Sequence, residues 1–176
     1  MPHPDPLADP SQLIRRVYSY VAYRLGDGPD AEDVTSDVFE RALRYRESYD
    51  QSRGQPLTWL LAIARRCVED ALVRRPPTSP AEVVEQASAE DLEGEVVRRL
   101  TVAAAIDGLD ERARDLLALR YGADLSARLI GEVLGMKTNA VEVALHRTLE
   151  RVRVDLEEAS HETRPGLVSH APRSSP

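Results

Sequence analysis

An all-α fold made of two small helical domains is predicted by three features of this 176-residue chain. Apolar residues recur at helical spacing in each long segment, with no alternating runs of β-branched residues. Glycine is sparse inside those periodic segments. A stretch from Pro76 to about Gly94, proline-rich and then acidic (Glu82, Glu85, Glu90, Asp91, Glu93), separates them into two groups and reads as a flexible linker. The expected division is a disordered start over 1–9, a first domain over 10–75, the linker over 76–94, a second domain over 95–157 and a disordered tail over 158–176.

In the first domain a helix is expected from Pro10 to Leu25, with Leu13, Ile14, Val17, Val21 and Leu25 on its apolar face, broken by Gly26 to Pro29. Asp30 is expected to cap a second helix whose Val34, Val38, Phe39, Ala42 and Leu43 point inward. Its first turns carry acidic residues, where the helix dipole favours them. A polar, turn-prone loop runs from Ser48 to Gln55. Pro56 or Leu57 then opens a third helix that buries Leu60, Ile63, Ala64, Cys67, Ala71 and Leu72. It ends before Pro76, because a residue preceding proline avoids the α region.

The second domain begins with a helix carrying Val96, Val97, Leu100 and Ala104, followed by one from Asp110 to Tyr121 centred on Leu116, Leu117 and Leu119. The stretch Leu125 to Arg153 then reads as two helices around a tight turn. Ser126 can cap the first, in which Leu129, Ile130, Val133 and Leu134 recur at helical spacing. Gly135 supplies the residue that ends a helix in the left-handed region, and Met136 can pack back over the corner. Gly131 lies where two steeply crossing helices need a side chain no larger than a methyl group. Thr138 or Asn139 restarts a helix with Val141, Leu145, Leu149 and Val152 as its buried stripe. This is a helix-turn-helix pattern, which sets its second helix in the major groove of DNA, although an αα-corner that only packs has the same periodicity. Asn139, Glu142, Val143, His146, Arg147 and Glu150 project away from the stripe, and Arg147, Arg151 and Arg153 can reach phosphates or guanine edges.

Charge argues against a free-standing DNA binder, because the net charge is −7 whereas phosphate contacts dominate non-specific affinity. The charge is unevenly distributed. Asp27, Asp30, Glu32, Asp33, Asp37 and Glu40 form an acidic block without a base, and arginines dominate from Arg41 to Arg75. Such a protein fits delivery to DNA by a larger partner. The lone Cys67 lies in an apolar helical stripe, so no disulfide framework or cysteine-rich zinc site is expected, only a buried thiol. No metal-ligand spacing, nucleophile elbow or phosphate-cradling loop appears, so neither an enzyme nor a cofactor is expected. With no membrane-length apolar run and no signal peptide, a cytoplasmic protein is expected.

Together these segments resemble the sigma-70 family, specifically its compact two-domain extracytoplasmic-function (ECF) group of RNA polymerase sigma factors. The likeness rests on AEDVTSDVFERAL (Ala31 to Leu43), the W-L-x-x-I-A-R run from Trp59 to Arg65, LDERARDLLALRY (Leu109 to Tyr121) and V-x-x-x-L-H-R from Val141 to Arg147. It spans both domains, from about Pro10 to Leu156.

The resemblance implies a region 2-like domain that docks on the clamp helices of the polymerase β′ subunit and reads the −10 promoter element. A region 4-like domain would read the −35 element and touch the β flap. Asp33, Asp37 and Phe39 fall in the family's core-binding helix. The loop from Ser48 to Gln55 matches its pocket for a base flipped from the non-template strand, with Tyr49, Asp50 and Arg53 as candidates. Trp59 falls near the melting fork, followed by Arg65 and Arg66 on the same helix; a core tryptophan with a satisfied indole is an equal alternative. The −35 helix would read through Asn139, Glu142, Val143, His146, Arg147 and Arg151. Members of the group are often held inactive by an anti-sigma partner, which the sequence does not identify.

The chain departs from the family pattern at Arg66, where asparagine is usual, and at Glu69, where an apolar residue is usual. It also carries Glu142, Val143 and Ala144 in place of a basic residue, a small polar residue and arginine. Glutamate can accept from cytosine N4 and valine can meet a thymine methyl, so these changes bear on which promoter is read. A stand-alone helix-turn-helix regulator is the competing reading, and it leaves the first-domain motifs unexplained.

Overall fold

The structure, a computed structural model, describes residues 5–74 and 101–162. Among them the only regular elements are helices. The first domain contains α1 (Pro10–Leu25), α2 (Pro29–Tyr45) and α3 (Pro56–Arg74). Each begins on a proline, whose missing N–H is one of the donors a helix start leaves unpaired and whose fixed φ suits the first turn. Two 3₁₀ turns, Arg46–Ser48 and Gln51–Arg53, join α2 to α3. Val17, Tyr20 and Val21 of α1, Val34 and Val38 of α2, and Leu60, Leu61, Ala64 and Val68 of α3 fill the space between the three helices.

The second domain is described from residue 101, with residues 101–107 helical. It continues with α4 (Glu111–Leu117), a π-helical segment Ala118–Gly122, α5 (Ala127–Leu134) and α6 (Thr138–Glu162). Asp110 caps α4 by accepting from Ala113 N–H at 2.9 Å. Leu116, Leu119, Leu125, Ile130 and Val141 of this domain belong to the same buried cluster as the first-domain core, so one apolar core runs through both. A small satellite of Leu109, Ala113 and Leu117 packs under Val152 of α6.

Four sequence expectations need correction. Gly28, not Asp30, stands at the N-cap of α2, and Asp30 lies in the first turn. Ile14 and Leu43 are exposed, and the fully buried α1 positions are Val17, Tyr20 and Val21. Leu149 is 41% exposed while Thr148 is buried, so the inward stripe of α6 runs Val141, Leu145, Thr148, Val152. A period of 3.6 residues drifts by one position over two turns, and Thr148 falls on the inner side of that drift. Finally, residues 5–9 are not featureless: Ala8 N–H bonds to the Asp5 carbonyl and Leu7 packs against the core. The expected linker over 76–94, the residues Val96, Val97 and Leu100, and the tail beyond residue 162 lie outside the described residues.

Candidate nucleic-acid interface

The corner between α5 and α6 is built by local chemistry. Ser126 Oγ accepts from Leu129 N–H at the start of α5, and Gly135 ends it at φ +65° in the left-handed region. Met136 N–H returns to the Gly131 carbonyl at 2.9 Å, closing the turn. A Cβ on Gly131 would stand 2.5 Å from the Met136 carbonyl oxygen, so this position accepts no side chain. The Ser126 cap and the Gly135 stop were expected from the sequence, whereas Gly131, expected to admit up to a methyl group, has no room for one.

With the inward side of α6 fixed by Val141, Leu145 and Thr148, its opposite side is open. Asn139, Glu142, Val143, His146 and Arg147 are all exposed there, spaced three, four, seven and eight residues from the first. The carbonyl of Gly108 accepts from Arg151 at 3.0 Å, which ties that guanidinium to the preceding loop. Arg153 is engaged with Glu150 and Glu157, so its charge is offset within the helix. Arg147 is therefore the arginine most open to a ligand on this face.

The loop between α2 and α3 forms the second surface. Asp50 accepts from Ser52 N–H at 2.9 Å and from its hydroxyl at 2.7 Å, so it builds the second 3₁₀ turn. Tyr49 is only 3% exposed; its hydroxyl donates to the Gly54 carbonyl at 3.0 Å, and its ring leans on Trp59 with centroids 5.5 Å apart. Tyr49 and half-buried Trp59 are thus walls, while exposed Arg53 and Arg66 carry the charge. The four residues line one cleft of about 530 Å³, together with Thr58, Gly54 and two carboxylates, Asp50 and Glu132 of α5, so the two arginines there are matched by two acids. Arg66 also opens onto a neighbouring hollow with Arg41, Arg44 and Tyr45.

Arg65 and Arg66 diverge. Arg65 turns away from the cleft, and its Nε donates to Asp115 Oδ2 of the second domain at 2.7 Å. Burial works against the Arg65 charge, but the Asp115 carboxylate outweighs it and holds the guanidinium pKa above its ordinary value. On α2, Asp33 and Asp37 share one face at i,i+4, whereas Phe39 lies roughly 160° round the helix and packs partly against the core. Cys67 is buried as expected, and burial pushes its thiol pKa up.

Sequence reasoning missed the contact between the domains. Asp115 of α4 accepts hydrogen bonds from Tyr20 Oη at 2.7 Å and Arg65 Nε at 2.7 Å, and Arg24 Nε lies 3.5 Å from it as an ion pair. Arg24 also pairs with Glu111, and Arg16 donates to the Ala123 and Asp124 carbonyls at 2.8 and 2.7 Å. Gly122 allows this approach, since a Cβ there would meet the Ser19 carbonyl oxygen at 2.9 Å. Among the described residues no group of histidine, cysteine, aspartate and glutamate has the arrangement of a metal site, and no helix is long and apolar enough to cross a membrane.

A helix-turn-helix with an open outer face, joined to a three-helix domain whose cleft sets two arginines beside two aromatic rings, has the parts of a two-part DNA-binding protein. Residues 11–76 match the Sigma-70 region 2 model and residues 105–154 match Sigma-70, region 4. The ECF RNA polymerase sigma factor ShbA of Streptomyces griseus is 32% identical over 133 residues, 69% of either chain. SigK of Mycobacterium ulcerans, another ECF RNA polymerase sigma factor, is 27% identical over 146 residues, covering 78% of either chain. The chain belongs to the ECF RNA polymerase sigma factors of the sigma-70 family. The fold agrees with that of the sigma factor RpoE of Bartonella quintana, solved with the anti-sigma factor NepR, at a TM-score of 0.59 and 15% identity over 82% of this chain and 92% of that one. The stand-alone regulator is disfavoured, because the region 2 match covers the domain that reading leaves without a role.

Proposed function

We propose that this protein directs bacterial RNA polymerase core to promoters through two separate DNA contacts and carries no catalytic activity of its own. The observation that carries the reading is one chain presenting both an open helix-turn-helix face and a cleft that sets Arg53 and Arg66 beside the aromatic wall of Tyr49 and Trp59. The −35 contact falls to Asn139, Glu142, Val143, His146 and Arg147, with Arg151 holding the helix against the loop at Gly108. In the −10 cleft, Arg53 and Arg66 meet phosphates or a flipped base, and Tyr49 and Trp59 supply its apolar wall. Asp50 shapes the loop instead of touching the base. Exposed Asp33 and half-buried Asp37 of α2 face the polymerase clamp helices, with Phe39 supporting the helix from its other side.

The boundaries proposed are 10–75 for the polymerase and −10 domain and 95–157 for the −35 domain, joined by the acidic stretch 76–94. The protein works in the cytoplasm, and an anti-sigma factor is the expected form of control, in keeping with the partner named for the Bartonella structure. Run-off transcription with purified core polymerase tests this. Promoter-specific transcripts that need the added protein are expected, and their absence from every genomic fragment would sink the proposal.

A further inference from the structure

Tyr49 stands where the first 3₁₀ turn gives way to the loop, and it is held at both of its polar ends. Its N–H donates to the Arg46 carbonyl at 3.2 Å, and its hydroxyl donates to the Gly54 carbonyl at 3.0 Å. The second bond joins residues five positions apart, so 49–54 form a closed ring. Inside that ring Asp50 accepts from the N–H and the hydroxyl of Ser52, and Arg53 N–H donates to the Asp50 carbonyl at 3.0 Å. Gly54 closes it at φ +155° and ψ 172°, a backbone conformation that only glycine adopts without strain. A Cβ on Gly54 would also lie 2.8 Å from Thr58 Oγ1. Arg53 is different: its side chain is exposed, with no hydrogen bond or ion pair among the described residues. A phenylalanine at position 49 would fill the wall and lean on Trp59 as well as tyrosine does. The hydroxyl therefore has one task, to close the ring.

We infer that Tyr49 is a positioning residue for base discrimination: its hydroxyl holds the loop in one shape before DNA arrives, so that a flipped base meets Arg53 and Trp59 at fixed places. The inference rests on the proposed −10 reading and adds to it how the loop tells one base from another. A pocket of fixed shape admits a wrong base only by deforming or by leaving polar groups unpaired. A loop free to adapt finds new partners for the wrong bases, as flexible binding surfaces do, and discriminates less. The correct base loses as well, because it then has to order the loop on binding. Both effects lower the ratio between the preferred base and its competitors.

The test uses holoenzyme reconstituted from core polymerase and the full-length chain. Tyr49→Phe removes the hydroxyl and keeps the ring, and Gly54→Ala disturbs the accepting carbonyl while leaving Tyr49 intact. The probe is a fork-junction DNA library, a duplex with a randomised single-stranded non-template overhang. Sequencing the bound fraction gives the ratio of the preferred base to the other three at each overhang position, which a uniform loss of binding does not move. Wild type is expected to prefer one base at one position. Both variants should keep that preference with the ratio lowered about three- to tenfold, the equivalent of one neutral hydrogen bond. In the free chain, amide exchange at Ser52 and Arg53, whose N–H groups bond within the ring, should quicken in both. Ratios equal to wild type overturn the inference, whether or not exchange quickens. So does a lowered ratio with exchange unchanged, since the ring is then not held by the hydroxyl. Where one variant does not fold, the other carries the test; loss of the folded state in both overturns the inference, because the bond then serves the fold alone. Wild-type holoenzyme that binds the library with no base preferred at any overhang position refutes the −10 reading beneath it.

Discussion

Tyr20 donates a 2.7 Å hydrogen bond to Asp115, 95 positions away, inside the core that the two domains share. A carboxylate can be buried there because its two oxygens are divided between partners: Oδ1 takes the Tyr20 hydroxyl, and Oδ2 takes Arg65. The pair links a helix of the first domain to one of the helix-turn-helix domain.

That position makes the contact sensitive to alkali. Burial pushes the Tyr20 phenol well above its ordinary 10.0, and the Asp115 carboxylate adds to the shift. Since the folded value is the higher one, the contribution is complete below about pH 10 and is lost as pH rises from there through the folded value. The limiting slope is about 1.4 kcal/mol per pH unit. Denaturation profiles measured between neutral pH and strong alkali should show this loss in wild type and its reduction in Tyr20→Phe. Superimposable profiles would refute it.

Two glycines of the helix-turn-helix corner separate steric from conformational cost. At Gly131 a new Cβ meets a backbone oxygen at 2.5 Å, which cannot swing aside as a side chain can. Gly131→Ala should cost about 1–3 kcal/mol as overpacking and lower the affinity for −35 duplex with it. At Gly135 the space is empty but φ is +65°, so Gly135→Ala should cost only the roughly 1–2 kcal/mol of left-handed backbone. Chemical denaturation of both variants checks these costs, and a Gly131→Ala variant as stable as wild type would contradict the packing described for the corner.

Cap, corner and stop at Ser126, Gly131 and Gly135 were legible because each acts within a few residues of itself. The helices of both domains were legible for the same reason, through their apolar period. Periodicity failed where tertiary packing chose among near-equivalent positions: Tyr20 is buried and Ile14 is not, and Thr148 is buried and Leu149 is not. Asp115 carried no local mark at all. An aspartate two positions beyond an alanine and just before two leucines looks like any solvated helical acid until α1 and α3 arrive from the other domain. Arg65 and Arg66, adjacent in sequence, read alike as −10 residues, and only the fold shows that they point to different partners.

On the proposed −35 face, Arg147 and Val143 should respond differently to removal. Arg147→Ala is expected to weaken duplex binding by about 1–3 kcal/mol if the guanidinium meets a base edge, with relaxed preference at one base pair. Val143→Ala should change little beyond preference for a thymine methyl. Both side chains are exposed, so thermal midpoints should stay within measurement of wild type. Selection of bound sequences from a randomised −35 duplex, using the reconstituted holoenzyme, distinguishes the two; identical selected motifs for wild type and both variants would remove these residues from the reading face.

Glu142 offers the sharpest test of how a chain of net charge −7 binds DNA at all. It is exposed in the middle of the proposed reading face, beside Val143 and one turn before His146. A carboxylate there repels phosphates but can accept a hydrogen bond from cytosine N4, so it trades affinity for discrimination. Glu142→Lys reverses the trade. One added phosphate contact should steepen the dependence of log affinity on log salt by about 0.9 and raise affinity most at low salt. Glu142→Gln removes the repulsion without adding a cation, so its gain should be smaller and its salt slope close to that of wild type. Holoenzyme binding to a −35 duplex across a salt series measures both. If Glu142→Lys leaves slope and affinity unchanged, this face does not approach the phosphates, and polymerase contacts alone hold the second domain on the promoter.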